Sequence, residues 1–292
     1  MKLFHRRVFT LISFIVFSVY SYQPLAEKLV ISKKVTTAPL IDGQIEDSWQ
    51  QAQETVTYDA LAETDIRIKS VYTDDEVFFL IRFKDATENR FHKKLVWDKS
   101  TASYKIGPTR EDTVVLKWNL EAFPVDLTVS SDQQYSADIW YWKSFRTDHA
   151  NRADDKYQVY SSTPSKKGHR VISKKGRIFY LTRKGDKGRS AYKNNIPIDF
   201  KGKEISGYEL RAPRGSRADV RAKGVWKDGM WTVEFTRKLD TGQIDDVYFE
   251  KELSYQFGVS RYEIAGRKKV KGIENPLFGS GEITEHLILK FK

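Results

Sequence analysis

Cysteine is absent from all 292 residues. That excludes disulfides, thiolate zinc sites, iron–sulfur clusters, covalent c-type haem and a cysteine nucleophile. An acylated-cysteine lipoprotein anchor goes with them. Methionine is scarce: of 2 in the chain, only Met230 lies beyond the start. No long amphipathic helix, internal repeat or low-complexity tract is visible. Gly-x-Ser-x-Gly elbows, His-Glu-x-x-His zinc motifs and glycine-rich phosphate loops are missing too. What the chain does have is aromatic and charged mass. It is 40% hydrophobic and 13% aromatic, enough for a packed core, with a net charge of +11. Such an excess favours acidic partners or surfaces.

The amino terminus reads as an address. Lys2, Arg6 and Arg7 precede the apolar run Val8–Tyr20; Val19-Tyr20-Ser21 offers small or apolar residues around a cut after Ser21, and Leu25-Ala26 offers a second, poorer site. This is the pattern of a secretory signal peptide over residues 1–21. The run of about 13 residues falls short of the ~20 that span a bilayer as a helix. The expectation is a periplasmic or secreted protein with no nucleic-acid partner. It would touch a membrane only through this segment, if uncleaved.

From Tyr22 onward the apolar pattern is mostly period two. Ile66, Ile68 and Val71, a Thr73–Glu76 turn, and Val77–Phe83 read as a hairpin. Thr113–Trp118, Ala137–Lys143, Trp231–Phe235, Tyr255–Tyr262 and Ile283–Phe291 read as further strands. Trp49–Ala52 fits one helical turn. One-sided strand faces need a covering sheet, so the prediction is an all-β antiparallel sandwich, immunoglobulin-like or jelly-roll-like, with few short helices. Residues 22–292 read as one domain. Residues 163–227 stand out, with 19 Lys and Arg against 5 Asp and Glu. Punctuated by glycines, they read as a long basic loop insertion with short strands such as Arg177–Arg183.

Several strings, in order, carry a resemblance. Leu40–Ala52 (LIDGQIEDSWQQA) is similar to the opening of family 9 carbohydrate-binding modules. Asp74–Asp85, Leu95–Lys99, Arg110–Asn119, Ala137–Arg146 (ADIWYWKSFR), Asp219–Gly242 and Tyr255–Val259 follow. This succession resembles the haem-binding domain family related to the γ subunit of ethylbenzene dehydrogenase, with kin in dimethylsulfide dehydrogenase and cytochrome c-552. The likeness spans about residues 38–292. It implies a sandwich holding one non-covalent b-type haem and exchanging electrons with a molybdenum oxidoreductase, while the basic stretch 163–227 by its charge suits docking of an acidic redox partner.

The resemblance also implies an axial methionine and lysine. The methionine should lie shortly before the IWYWK string, but residues 125–136 contain no Met, His or Cys. The lysine is expected after the YQFGV string, where Lys268, Lys269 and Lys271 stand, Lys268 matching best. A ligating lysine must be neutral, which takes burial or the metal's own field. Among the histidines, His149 lies closest to the family-like strings and is the alternative iron ligand. Met230 and His286 read as sheet-face residues and His169 as solvated. Alternation puts Trp140 and Trp142 on one strand face, where they fit either core packing or an aromatic wall for a porphyrin or sugar ring. Asp154-Asp155 and Asp245-Asp246 have oxygen chemistry suited to calcium, and equally the look of solvated turns. The function predicted is haem binding with electron transfer, not catalysis; a haem-free carbohydrate or envelope-ligand module is the alternative.

Overall fold

The computed structural model describes residues 28–262 and 283–292. The signal-like segment 1–21 and Lys268, Lys269 and Lys271 lie outside them. Eighteen strands are present among the described residues. They are β1 (Lys28–Lys34), β2 (Thr55–Asp59), β3 (Thr64–Tyr72), β4 (Glu76–Lys84), β5 (Leu95–Asp98), β6 (Ser103–Ile106), β7 (Thr113–Asn119), β8 (Tyr135–Lys143) and β9 (Asp154–Ser161). There follow β10 (His169–Ile172), β11 (Ile178–Gly185), β12 (Tyr192–Asn194), β13 (Glu204–Ile205), β14 (Tyr208–Leu210), β15 (Arg221–Lys227), β16 (Met230–Lys238), β17 (Ser254–Tyr262) and β18 (Leu287–Phe291). Three short 3-10 helices, Asp47–Gln51, Asp148–Ala150 and Ser216–Ala218, complete the set.

One long sheet runs β10-β11-β9-β8-β7-β17-β18-β1-β3-β4-β16-β15, with β2 added on β3. It folds over so that its two halves pack as the layers of a sandwich. The alternation read from sequence decides which side chains meet. Ile66, Phe79, Phe83, Trp231 and Phe235 of one half face Trp118, Trp140, Trp142 and Phe257 of the other. Ring centroids of Phe79 and Trp118 lie 5.4 Å apart, and those of Trp142 and Trp231 5.0 Å. Gly224 permits this packing: a Cβ there would sit 2.3 Å from the Trp142 ring.

Val77–Phe83 is apolar without a break because both its faces are covered. Phe78 and Leu80 point outward, under Trp49. The β15–β16 hairpin turns through Asp228-Gly229, both at positive φ, which a two-residue type I′ turn requires.

Two expectations change. The pairing is antiparallel except at β1, which runs parallel to both β18 and β3. No hairpin joins β1 to either neighbour, so no short connection dictated its direction. Residues 163–227 contain the short strand read at Arg177–Arg183, which is β11, but they are not an insertion outside the long sheet. Their ends form β10 and β11 at one edge of the long sheet and β15 at the other; only the stretch from Asp186 to Val220 stands off it. The β15 edge is stitched to the segment before β9, where Ala153 N donates to Val220 O at 3.1 Å and Ala222 N to Asn151 O at 3.2 Å. Ile283–His286 likewise precede β18 and are not strand.

Candidate functional site

The outer face of β7, β8, β9 and β11 combines apolar packing with buried charge. Val115, Ile139, Tyr141, Tyr160 and Phe179 form its apolar part, joined by Val125 and Leu127 from the β7–β8 connection and by Ile283. Lys117 rises from the same face, fully buried, and donates to Leu127 O at 2.6 Å and to the Tyr135 hydroxyl at 2.9 Å.

Further along, β8 and β9 bring Lys143 against Asp154, each side chain 1% exposed, in a direct ion pair. The Tyr192 hydroxyl donates to Asp154 at 2.8 Å, and Lys156 Nζ stands 3.8 Å away. Burial brings the Lys143 ammonium down to about 8, although Asp154 opposes the shift. Lys156 also falls to about 8, through burial and then the charge of Lys143. Burial pushes against ionised Asp154, but Lys143, Lys156 and Arg217 outweigh it and hold the carboxyl below its usual range.

The network continues into the loop after β8. Glu111 pairs with Arg146 and accepts the backbone N–H groups of Phe145 and Arg146 at 3.0 and 2.9 Å. His92 is buried 3.5 Å from Glu111 and against the Tyr208 ring; burial and then the Arg146 charge pull its pKa to about 2, so it is neutral. Tyr192 and Tyr208, from the stand-off part of the basic stretch, cover the Arg146 guanidinium at 4.9 and 5.0 Å.

The sequence-predicted residues are not brought together. Trp140 and Trp142 are fully buried between the layers. Trp140 Nε1 donates to Asp138 at 3.3 Å and Trp142 Nε1 to Asp148 at 3.0 Å. Their rings are core, with no face turned to solvent as an aromatic wall would need. His149 sits in the second 3-10 helix, exposed, with Nδ1 3.3 Å from Phe145 O. It lines an open cleft of about 510 Å³ with Arg152, Arg211 and Pro213. Met230 is half-buried at the start of β16, on the opposite face from Trp231. His169 is exposed on β10. His286 accepts the Leu127 N–H at 3.0 Å.

A b-type haem needs an apolar slot of roughly 300 Å³ or more and at least one axial donor. On the outer face, the recess between Val115, Ile139, Tyr141 and Gln158 holds about 20 Å³. The His149 cleft is open and arginine-rimmed. A cleft of about 780 Å³ between Asp74, Glu76, Asp240, Glu250 and Lys251 is charged. None of these three recesses is by itself a haem slot. Sequence reasoning missed the Lys143–Asp154 pair and Lys117. Their signal was charge at buried-face parity: Lys143 alternates with Ile139 and Tyr141, and Lys117 with Val115.

Fold and site together define an all-β sandwich with a buried ionic network on one outer face. The chain belongs to the ethylbenzene dehydrogenase family, whose pattern matches residues 35–269. A comparison with curated proteins gave no match. Among solved structures, a family 9 carbohydrate-binding module from Caldicellulosiruptor kristjanssonii in complex with glucose is similar at 10% identity. That match covers 91% of this chain and 96% of that one, with a TM-score of 0.39. The same module in complex with cellotriose matches at 12% identity over 91% and 95%, with a TM-score of 0.36.

Proposed function

We propose that the protein is an exported, non-catalytic binding module whose ligand is one non-covalent b-type haem, used in electron transfer. The observation that carries this reading is family membership over residues 35–269. The described residues contribute the scaffold and the ionic network. An axial donor comes from outside them, with Lys268 first, then Lys269 or Lys271; His149 is the donor inside them. The haem supplies the redox chemistry when bound. The basic stretch is the docking surface for an acidic redox partner, and a molybdenum oxidoreductase fits that role.

A second reading keeps the scaffold and drops the haem: a module for carbohydrate or another envelope ligand. The lack of Met, His or Cys in residues 125–136, where the haem reading expects an axial methionine, favours it.

An absorption spectrum of the full chain, expressed in a haem-sufficient host, separates the two. The haem reading expects a stoichiometric Soret band and visible bands that sharpen on reduction. A colourless protein that also takes up no added haemin overturns it and leaves the second reading. If haem binds, Lys268→Ala should change the spin state; an unchanged spectrum moves the search to Lys269, Lys271 and His149.

A further inference from the structure

A second polar centre lies inside the sandwich, away from the outer-face network. Asp138 of β8 and Asp155 of β9 point inward, and the connection after β16 adds Asp246. Each offers an oxygen within 4.8 Å of the others, and all three are buried. Arg237 reaches them from the opposite layer. Its Nη1 lies 2.6 Å from Asp138 Oδ2 and 3.6 Å from both Asp155 Oδ2 and Asp246 Oδ2.

One guanidinium does not match this charge. Asp186, at the end of β11, is a fourth carboxylate beside the trio. It is 6% exposed, and both its oxygens are sealed from solvent with no hydrogen-bond partner. Its backbone N–H points to Asp155 O at 3.5 Å, and it feels the charges of Asp138 and Asp246. Both oxygens of Asp155 and one each of Asp138 and Asp246 are also without a hydrogen bond. Formally this is four negative charges against Arg237 and, at Asp186, Arg217. Carboxylates taken out of water and left uncompensated are costly, and a bound cation relieves that cost.

The donor chemistry selects the cation. All donors are hard carboxylate oxygens, with no imidazole or thiolate among them, which disfavours zinc. Two oxygens on one Ca²⁺ at about 2.4 Å can be no more than about 4.8 Å apart, and one oxygen from each of Asp138, Asp155 and Asp246 meets that limit. Mg²⁺ keeps several waters and near-ideal octahedral geometry, which a buried cage of side chains does not favour. We propose that Asp138, Asp155 and Asp246 hold one Ca²⁺ beside Arg237, with the Asp186 charge next to it, pinning the β16–β17 connection to the β8–β9 layer. The site is independent of any haem.

The test uses the full chain stripped with a chelator. Calcium titration by calorimetry should give one site, and unfolding should move to higher temperature with Ca²⁺ than with chelator. Tb³⁺ gives a second readout. Trp140 Nε1 lies 3.3 Å from Asp138 Oδ2, so the bound ion should show tryptophan-sensitised luminescence. Asp155→Asn and Asp246→Asn should each weaken Ca²⁺ binding at least tenfold, while Asp199→Asn, in the exposed connection, should not. The sign of the stability effect separates the site from a bare acidic cluster. With Ca²⁺ present Asp155→Asn should melt below the wild type; with chelator it should melt at or above it, because a repelling charge has gone. Wild-type protein with no calcium heat, no calcium-dependent melting shift and no sensitised luminescence overturns the proposal.

Discussion

At the residue scale, the buried charges carry the sharpest consequences. Lys143 and Asp154 neutralise one another with almost no solvent contact. Removing Asp154 strands buried Lys143, and such losses cost about 3–5 kcal/mol, whereas removing Lys143 leaves Asp154 with Lys156, Arg217 and Tyr192. Asp154→Leu should therefore destabilise strongly, and more than Lys143→Met, read as a lowered denaturant midpoint. The double change Lys143→Met with Asp154→Leu should recover much of the loss, since a well-packed apolar pair can replace a buried ion pair. No recovery in the double variant would mean that Tyr192 and Lys156 depend on the Asp154 carboxylate. His92 gives a pH signature. Its folded pKa is depressed to about 2 from an ordinary 6.5. The unfolded chain thus binds a proton between those values that the folded chain refuses. The contribution is complete above about pH 6.5 and is lost as pH falls. Denaturant unfolding at pH 7.5 and pH 5 should show the wild type losing more stability on acidification than His92→Gln. Equal losses would place the acid sensitivity elsewhere.

At the element scale, the segment before β2 is held by one side chain. Glu234 on β16 accepts the Gly43 N–H at 2.8 Å, the Asp42 N–H at 3.0 Å and the Trp49 indole N–H at 2.8 Å. Gly43 is needed there: its φ is +83°, and a Cβ would meet Val225 at 2.6 Å. The Ile-Asp-Gly…Trp string that opens the family likeness is thus a structural clasp. Glu234→Ala should strip three donors of their acceptor and cost about 3 kcal/mol, since each stranded buried group costs about 1–3. Trp49→Phe should cost less, because the ring still fills its place over Phe78. Urea unfolding of both variants checks the order. If Glu234→Ala is near neutral, water reaches the stranded donors.

The strands read from sequence were those with an apolar face of clear period. β3, β4, β7, β8, β16 and β17 fall where Ile66–Val71, Val77–Phe83, Thr113–Trp118, Ala137–Lys143, Trp231–Phe235 and Tyr255–Tyr262 placed them. β9 was hidden because it opens Asp-Asp-Lys. β10 and β15 were hidden because edge strands carry Lys and Arg and so look like loops. The parallel seat of β1 has no local signal at all. The site was less legible. Its charges come from Glu111, Lys143, Arg146 and Asp154, and the acidic cage from Asp138, Asp155, Asp186 and Asp246. The Asp154-Asp155 and Asp245-Asp246 pairs pointed to part of this set, but only the folded sheet brings them to the other positions, which no spacing in the chain announces.

At the scale of the whole molecule, charge is unevenly spread. Residues 22–292 carry 47 Lys and Arg against 39 Asp and Glu, a net of +8. Residues 163–227 alone carry +14, so the rest of that span is acidic by 6. The basic stretch supplies both edges of the long sheet and the stand-off region between them. Lys and Arg at those edges discourage strand addition by other molecules. That role and the proposed docking role differ in a measurable way. Edge protection needs only that the edges stay charged, of either sign. Docking to an acidic partner needs positive charge. Lys166, Lys167, Lys201 and Lys203 are all exposed, and changing all four to Glu brings the +8 to zero. Under docking, the wild type should bind an anionic column or acidic partner at ~0.1 M salt, where the screening length is about 10 Å. It should elute towards 1 M, where that length falls to about 3 Å. The quadruple variant should bind weakly at any salt while its melting temperature stays close to wild type. Retention that survives the four reversals would remove the docking role and leave edge protection as the reason for the charge.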